Sequence, residues 1–322
     1  MKQQILQFPK QISVGVKLAR SVKIDKTYEK VIICGMGGSI IPGEMLIFWQ
    51  EVSGMLPVFY VHRDYDLPSW VSKNDLVVCI SWSGNTEETL SSYEAAVKSD
   101  IPVVSIATGG KLAELSGKNK TSSVIIPNDN NLKPRMGAGY MTAVLFQLLG
   151  LGEKFASISL DAKKTEMEGK KLAENMNDGS TPLLYSSYKW RLVPRLWKIL
   201  FNENDKIHAF WNYFPAMAHN ELAGFDKEPK SGNPNSRTEF YPIFFKDSND
   251  DPRQNKNIDT AIAILDKIEY NYGIVNLSSF DEPLETILNV YILGLWTTYY
   301  FAKKIGVDPE KIELIEEYKK LK

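Results

Sequence analysis

The chain has 322 residues, 43% hydrophobic and 24% charged, a globular composition long enough for two ordinary domains. Its 38 Lys+Arg offset 39 Asp+Glu to a net charge of -1, which gives no reason to expect a nucleic-acid or membrane partner. No stretch reaches the roughly 18 apolar residues that a membrane span requires.

The N-terminal MKQQILQFPKQISVGVKLARS carries lysines throughout and no uninterrupted apolar run, so neither a signal peptide nor an anchor is expected. A cytoplasmic protein is the expectation. KVIICG (30–35) is β-branched and apolar and ends at glycine, the pattern of a buried parallel strand. PGEMLIFWQEV predicts a helix, LPVFYVH and DLVVCIS (75–81) predict strands, and TEETLSSYEAAVKS predicts the next helix. IPVVSIAT and SSVIIP (122–127) continue as strands, and GAGYMTAVLFQLLGLG closes the half as an apolar helix ending at glycine. His62 reads as a loop residue. Cys34 and Cys79 fall inside two of these strands; a disulfide is conceivable, but reduced core thiols are the better expectation.

A weaker second copy follows. After the charged helix DAKKTEMEGKKLAENMN come the strand TPLLYSS (181–187) and a helix containing RLVPRLWKILFNEND. HAFWNYF (208–214), with His208, YPIFFKD (241–247) and YGIVNLS (272–278) read as later strands, with helices near 282–304 and 310–321. FDKEPKSGNPNSRTE is turn-rich and polar, hence a loop. Strand–helix alternation of this kind means right-handed crossovers and two doubly wound parallel sheets in tandem, with domains placed at 1–154 and 155–322.

The sharpest local signal is CISWSGNTEET (79–89). A buried strand ends at Ser81 and a helix begins near Thr86, so hydroxyls and backbone N–H groups converge where unpaired amides and the helix dipole hold an anion. Ser81, Ser83 and Thr86 can each donate to phosphate oxygens; an ordinary Ser/Thr cap is the competing reading. Glu87 and Glu88 argue against a nucleotide triphosphate, which they would repel. GMGGSI (35–40) ends the preceding strand in the same way, and parallel strands bring such loops to one crevice. A dinucleotide fingerprint would need a third glycine at position 40, which is Ile40, and no GK[ST] signals a P-loop.

GMGGS followed by SWSGNTEET resembles the two signature loops of sugar isomerase (SIS) domains. The resemblance spans nearly all of the chain from about residue 28 and implies two flavodoxin-like SIS domains in tandem. It implies a phosphate site built from Gly37, Gly38, Ser39, Ser81, Ser83 and Thr86.

Aldose–ketose isomerisation needs a base, a donor for the enediolate oxygen and an acid/base for ring opening. PRMGAGY (134–140) supplies Arg135, whose guanidinium suits an enediolate oxygen, although a surface arginine closing a loop has the same sequence signature. FNENDK (201–206) puts Glu203 at a helix C-terminus, and AHNELAGF (218–225) contains His219, one of three histidines, in an HNE run that reads as opening a helix. A solvated glutamate and a structural histidine are the plain alternatives. Together, PR before a glycine-rich helix start and NEN and HNE sixteen positions apart resemble the bifunctional phosphoglucose/phosphomannose isomerases. The resemblance implies Glu203 as the proton-transferring base, His219 as the ring-opening group and Arg135 as the enediolate stabiliser.

It also implies a homodimer in which His219 crosses to the partner's site, with a phosphorylated hexose as substrate and neither metal nor other cofactor. Aligned from GVDP (306–309), the family's C-terminal lysine falls on Lys319, with Lys320 and Lys322 competing. Bifunctional members carry a small hydroxyl residue about two turns earlier, where this chain has Ile312, a departure that bears on the mannose branch. The activity so implied serves carbohydrate metabolism, at the hexose-phosphate step of glycolysis and gluconeogenesis. Two other readings stand beside it: another SIS isomerase acting on an amino-sugar or pentose phosphate, and a non-catalytic sugar-phosphate sensor. A synthase module would be expected beside a glutamine domain with its N-terminal cysteine, and a sensor beside a basic helix-turn-helix; the sequence contains neither.

Overall fold

The computed structural model describes residues 1–24, 27–54, 58–128, 131–225, 240–279 and 282–321. The polar loop expected from Phe225 onward falls at 226–239, outside the described residues, as does Lys322. By compactness the chain divides into an N-terminal unit, Gln3–Leu160, and a C-terminal unit, Asp161–Lys322 with Met1–Lys2.

The first elements are α1 (Lys2–Ala19), β1 (Lys30–Cys34), α2 (Ile41–Ser53), β2 (Val58–His62), β3 (Leu76–Ser81) and α3 (Glu87–Lys98). They are followed by β4 (Val103–Ala107), α4 (Gly110–Asn119), β5 (Ser122–Ile125), α5 (Ala138–Leu148) and α6 (Gly152–Ala156). The five strands form one sheet in the order β2-β1-β3-β4-β5, every pairing parallel. β3 and β4 are buried at every position, the result of helices covering both faces of a β-branched run. Cys34 and Cys79 lie opposite each other in register as free, buried thiols, and burial pushes the Cys79 thiol up. His62, expected in a loop, is the last residue of β2: it pairs with Cys34, and its carbonyl accepts from Gly35 N at 3.3 Å.

In the C-terminal unit, α7 (Glu166–Asn175) leads to β6 (Thr181–Ser187) and α8 (Leu192–Leu200), which runs into a π turn, Phe201–Asp205. β7 (Phe210–Phe214), α9 (Ala216–Asn220) and a 3₁₀ turn, Glu221–Phe225, follow. The unit ends with β8 (Phe240–Lys246), α10 (Pro252–Lys267), β9 (Gly273–Asn276), α11 (Pro283–Lys304) and α12 (Glu313–Leu321). Its sheet runs β7-β6-β8-β9, again parallel throughout. α11 is buried from Leu284 to Ala302 on nearly every side, which makes it a core helix.

Two local expectations change here. His208 precedes β7 rather than lying in it, because Ala209 N donates to Asn202 Oδ1 at 3.0 Å and ties that stretch to the π turn. His219 and Asn220 close the five-residue α9 instead of opening a helix, and Glu221 starts the 3₁₀ turn.

The strand orders also show which loops correspond. β6 occupies the place of β1 and β8 that of β3. The loop YSSYKWR, which reads in the sequence as a worn phosphate loop, therefore matches GMGGSI, and the phosphate-loop position is held by Asp247–Asp251 after β8. There the fold supplies its own anions. Asp247 accepts from Lys189 Nζ at 3.1 Å, Trp190 Nε1 at 2.9 Å and Ser278 Oγ at 3.1 Å, and Ser187 Oγ donates to Asp250. Burial works to raise the Asp247 carboxyl, but the Asn249 amide, Trp190 and Lys189 together hold it below the usual carboxylate range.

Candidate active site

In the N-terminal sheet the chain leaves β1 and β3 in opposite directions, which opens a crevice beyond their C-terminal ends. Both candidate phosphate loops lie at that edge. The 3₁₀ turn Gly37–Ile40 follows β1, and Ser81–Thr86 joins β3 to α3. Trp82 N donates to Ser39 Oγ at 2.9 Å, so the two loops are bonded to each other.

The hydroxyls are arranged with their lone pairs engaged from inside the fold. Ser39 accepts from Trp82, Ser83 accepts from Asn85 N at 3.2 Å, and Thr86 Oγ1 accepts from the fully buried Ser81 Oγ at 3.0 Å. Each acceptor keeps its own hydrogen to donate, which is what an anion requires. Thr86 stands at the N-cap of α3 but makes no side-chain cap, which removes the ordinary reason for a threonine there.

Arg135 belongs to the same cluster. A Cβ on Gly38 would lie 2.9 Å from Arg135 N and 2.9 Å from Pro134 Cβ, so this glycine lets the turn after β1 press against the 134–135 backbone. Arg135 is 1% exposed, which excludes the surface-arginine reading. The residue that sequence reasoning missed is Trp82. Its Nε1 donates to Leu132 O at 2.8 Å, its carbonyl accepts from Thr108 Oγ1 at 2.6 Å, and its ring covers Gly137. One tryptophan thus ties its loop to Ser39 through the backbone and to the arginine segment through the buried indole. A tryptophan after a buried strand looks like core, so only its position between two glycine-bearing loops could have marked it.

In the C-terminal unit Glu203 lies mid-way along the π turn, half-buried, where single π turns often accompany function. Asn204 Nδ2 donates to Thr298 Oγ1 of α11 at 2.8 Å inside the core and anchors the turn. His219 is exposed on α9. The next segment is held by Glu221, whose oxygens accept from Tyr185 OH at 2.9 Å and Asn212 Nδ2 at 2.6 Å. Burial and this carboxylate raise the Tyr185 phenol above its ordinary range.

Glu203 and His219 are not brought together. α8 returns from the C-terminal edge of its sheet, so the π turn lies at the N-terminal edge where β7 begins, while α9 follows the end of β7. The five residues of β7 separate those edges by roughly 16 Å. Lys319 is exposed on α12, and Ile312 lies just before that helix with its carbonyl accepting from Glu316 N at 3.0 Å. Among the described residues no group of three or more His, Cys, Asp or Glu could hold a metal ion, and no helix is long and apolar enough to cross a membrane.

Known proteins agree with this architecture. A family model for the bacterial phospho-glucose isomerase C-terminal SIS domain matches residues 165–321. The bifunctional phosphoglucose/phosphomannose isomerase of Thermoplasma volcanium is 33% identical over 312 residues, 95% of this chain and 95% of its own. Its namesake from Aquifex aeolicus is 31% identical over 300 residues, 91% of this chain and 90% of its own. Among solved structures, the C-terminal domain of glucosamine-fructose-6-phosphate aminotransferase from Francisella tularensis matches with a TM-score of 0.70 at 14% identity, covering 97% of each chain. A likeness at that identity is one of fold.

Proposed function

The chain belongs to the bifunctional phosphoglucose/phosphomannose isomerase family, and from that premise we propose that it interconverts glucose 6-phosphate and mannose 6-phosphate with fructose 6-phosphate through a cis-enediolate. It is an isomerase. The observation that carries the substrate class is the cluster of Ser39, Ser83 and Thr86, whose lone pairs are engaged within the fold while their hydrogens remain to donate beside the N-terminus of α3.

In this reading the phosphate rests on that cradle, with Gly37 and Gly38 leaving room for backbone approach. His219 gives a proton to the ring oxygen and takes one from the O1 hydroxyl, opening the sugar. Glu203 then removes the C2 proton of the aldose and returns it to C1, while the O2 hydroxyl proton passes to O1, as the enediolate collapses to the ketose. Arg135 meets the developing oxyanion, and Lys319 is the family's C-terminal lysine in this reading. The half at 1–154 holds the phosphate and the half at 155–322 supplies the acid–base groups.

The opposite placement of Glu203 and His219 about β7 supports a homodimer in which a site that uses both takes its histidine from a second copy. Carbohydrate metabolism in the cytoplasm is the setting that suits the reaction, and the free, buried thiols of Cys34 and Cys79 fit a reducing compartment.

The test is a coupled assay for fructose 6-phosphate with glucose 6-phosphate and mannose 6-phosphate supplied separately. Turnover of both establishes the reading; turnover of glucose 6-phosphate alone keeps the mechanism and restricts the specificity. Glu203→Gln should abolish turnover and keep sugar-phosphate binding. Mixing Glu203→Gln and His219→Ala subunits should restore activity through one intact composite site, and an inactive mixture that forms dimers would refute the shared site.

A further inference from the structure

Lys206 closes the π turn that carries Glu203 in an unusual way. It holds φ at +58, the left-handed conformation that glycine or asparagine normally takes after a helix. A lysine at such a position calls for a reason in its side chain. Its ammonium has three donors, and three carbonyls receive them: Glu203 O at 2.8 Å, Asn204 O at 3.1 Å and Asp308 O at 2.8 Å.

Two of these carbonyls belong to the π turn, at the helix end where backbone oxygens lack intrahelical partners. The third belongs to the segment that runs through Ile312 into α12, where Lys319 resides. Asn204 is separately bonded to Thr298, and Asn202 to Ala209. The backbone beneath Glu203 is therefore fastened to α11, to the approach to β7 and, through Lys206, to the chain leading into α12.

We propose that Lys206 is a positioning residue for catalysis: its ammonium sets the carbonyl frame from which the Glu203 carboxylate projects and fixes that frame relative to the C-terminal segment. The proposal rests on the reading of Glu203 as the proton carrier. A base that takes a proton from one carbon and returns it to the next must stay within reach of both, so a loosened frame slows transfer more than it weakens binding. It also lets solvent compete for the proton while the enediolate waits.

The experiment compares Lys206→Gly, Lys206→Asn and Lys206→Arg with the parent protein and with Glu203→Gln. Glycine and asparagine suit the left-handed backbone and remove the ammonium, so they separate positioning from folding. For glucose 6-phosphate, both should lower kcat by about 10- to 100-fold with KM within about 2-fold. In heavy water both should raise the solvent deuterium in the product relative to proton carried from C2 to C1. Lys206→Arg should recover most of kcat and the parental transfer ratio.

Parental kcat and transfer ratio in folded Lys206→Gly, with Glu203→Gln inactive, would overturn the positioning role and leave Glu203 in place. An active Glu203→Gln would remove both. Activity that falls only in proportion to folded protein in the glycine and asparagine variants would reduce Lys206 to a helix cap and likewise overturn the proposal.

Discussion

A Cβ on Gly84 would fall 1.8 Å from the carbonyl oxygen of Gly109, and the residue already holds φ at +70. Gly110 answers from the other side, where a Cβ would meet Ser83 O at 2.4 Å. The phosphate loop and the loop after β4 thus interlock through two glycines, and Leu112 N donates to Gly84 O at 2.8 Å to seal the contact. Gly84→Ala should cost about 1–2 kcal/mol for the left-handed backbone alone, plus the cost of moving Gly109. Urea unfolding measures that loss, and titration with inorganic phosphate should show weaker binding as the Ser83 and Thr86 hydroxyls shift. At this scale the turn after β3 stood out in the sequence because GMGGSI ends the neighbouring strand in the same way; alone, it reads equally well as an ordinary Ser/Thr cap. Trp82 did not, because its role comes from Leu132 and Gly137, fifty and more positions downstream. Arg135 was legible as a charge but not as a buried one, since burial depends on the turn at Gly38 that covers it.

The element that most departs from regularity is the π turn at 201–205. It brings Asp205 into the core at 1% exposure, and burial pushes that carboxyl well above the usual carboxylate range, with Lys206 and the Ala302 amide opposing. A raised carboxyl binds its proton more tightly folded than unfolded. It therefore weakens stability as pH climbs from the unfolded value of about 4 through the folded value, and the loss is complete once the group is ionised in both states. Asp205→Asn, which keeps the shape and drops the charge, should raise Tm at pH 8 and leave it unchanged at pH 3. Equal Tm differences at both values would mean that Asp205 does not titrate with folding. The amphipathic run of α8 was enough to place a helix ending near Glu203. The extra residue in its last turn was not legible, because it answers to the Asn204–Thr298 bond across 94 positions of sequence.

For the chain as a whole, Glu166 is the charge that its surroundings stabilise most visibly. Lys2 Nζ lies 2.6 Å away, Tyr300 OH donates at 2.7 Å and Lys163 stands at 3.2 Å, and the Lys2 and Tyr300 hydrogen bonds lead in holding the carboxyl down to about 2. A lowered carboxyl adds stability that is present above its unfolded pKa of about 4.3 and disappears as pH falls through the folded value. Glu166→Gln should therefore melt earlier at pH 7, by a margin that shrinks below pH 4 and is gone near pH 2; a margin independent of pH would show that packing, not charge, is lost. The exposed flank of Lys2 keeps the effect modest and sensitive to salt. The sequence by itself determined the class of fold, the two parallel sheets in tandem and the Ser/Thr-bearing turn between β3 and α3, since hydrophobic periodicity and turn chemistry are local properties of a chain. Only the tertiary structure decided which loops correspond between the two sheets, that the second cradle is filled by Asp247 and Asp250, and that Glu203 and His219 stand at opposite edges of one sheet. Strand order is settled by which neighbours pair across long separations, and that competition leaves no mark on any short stretch of residues.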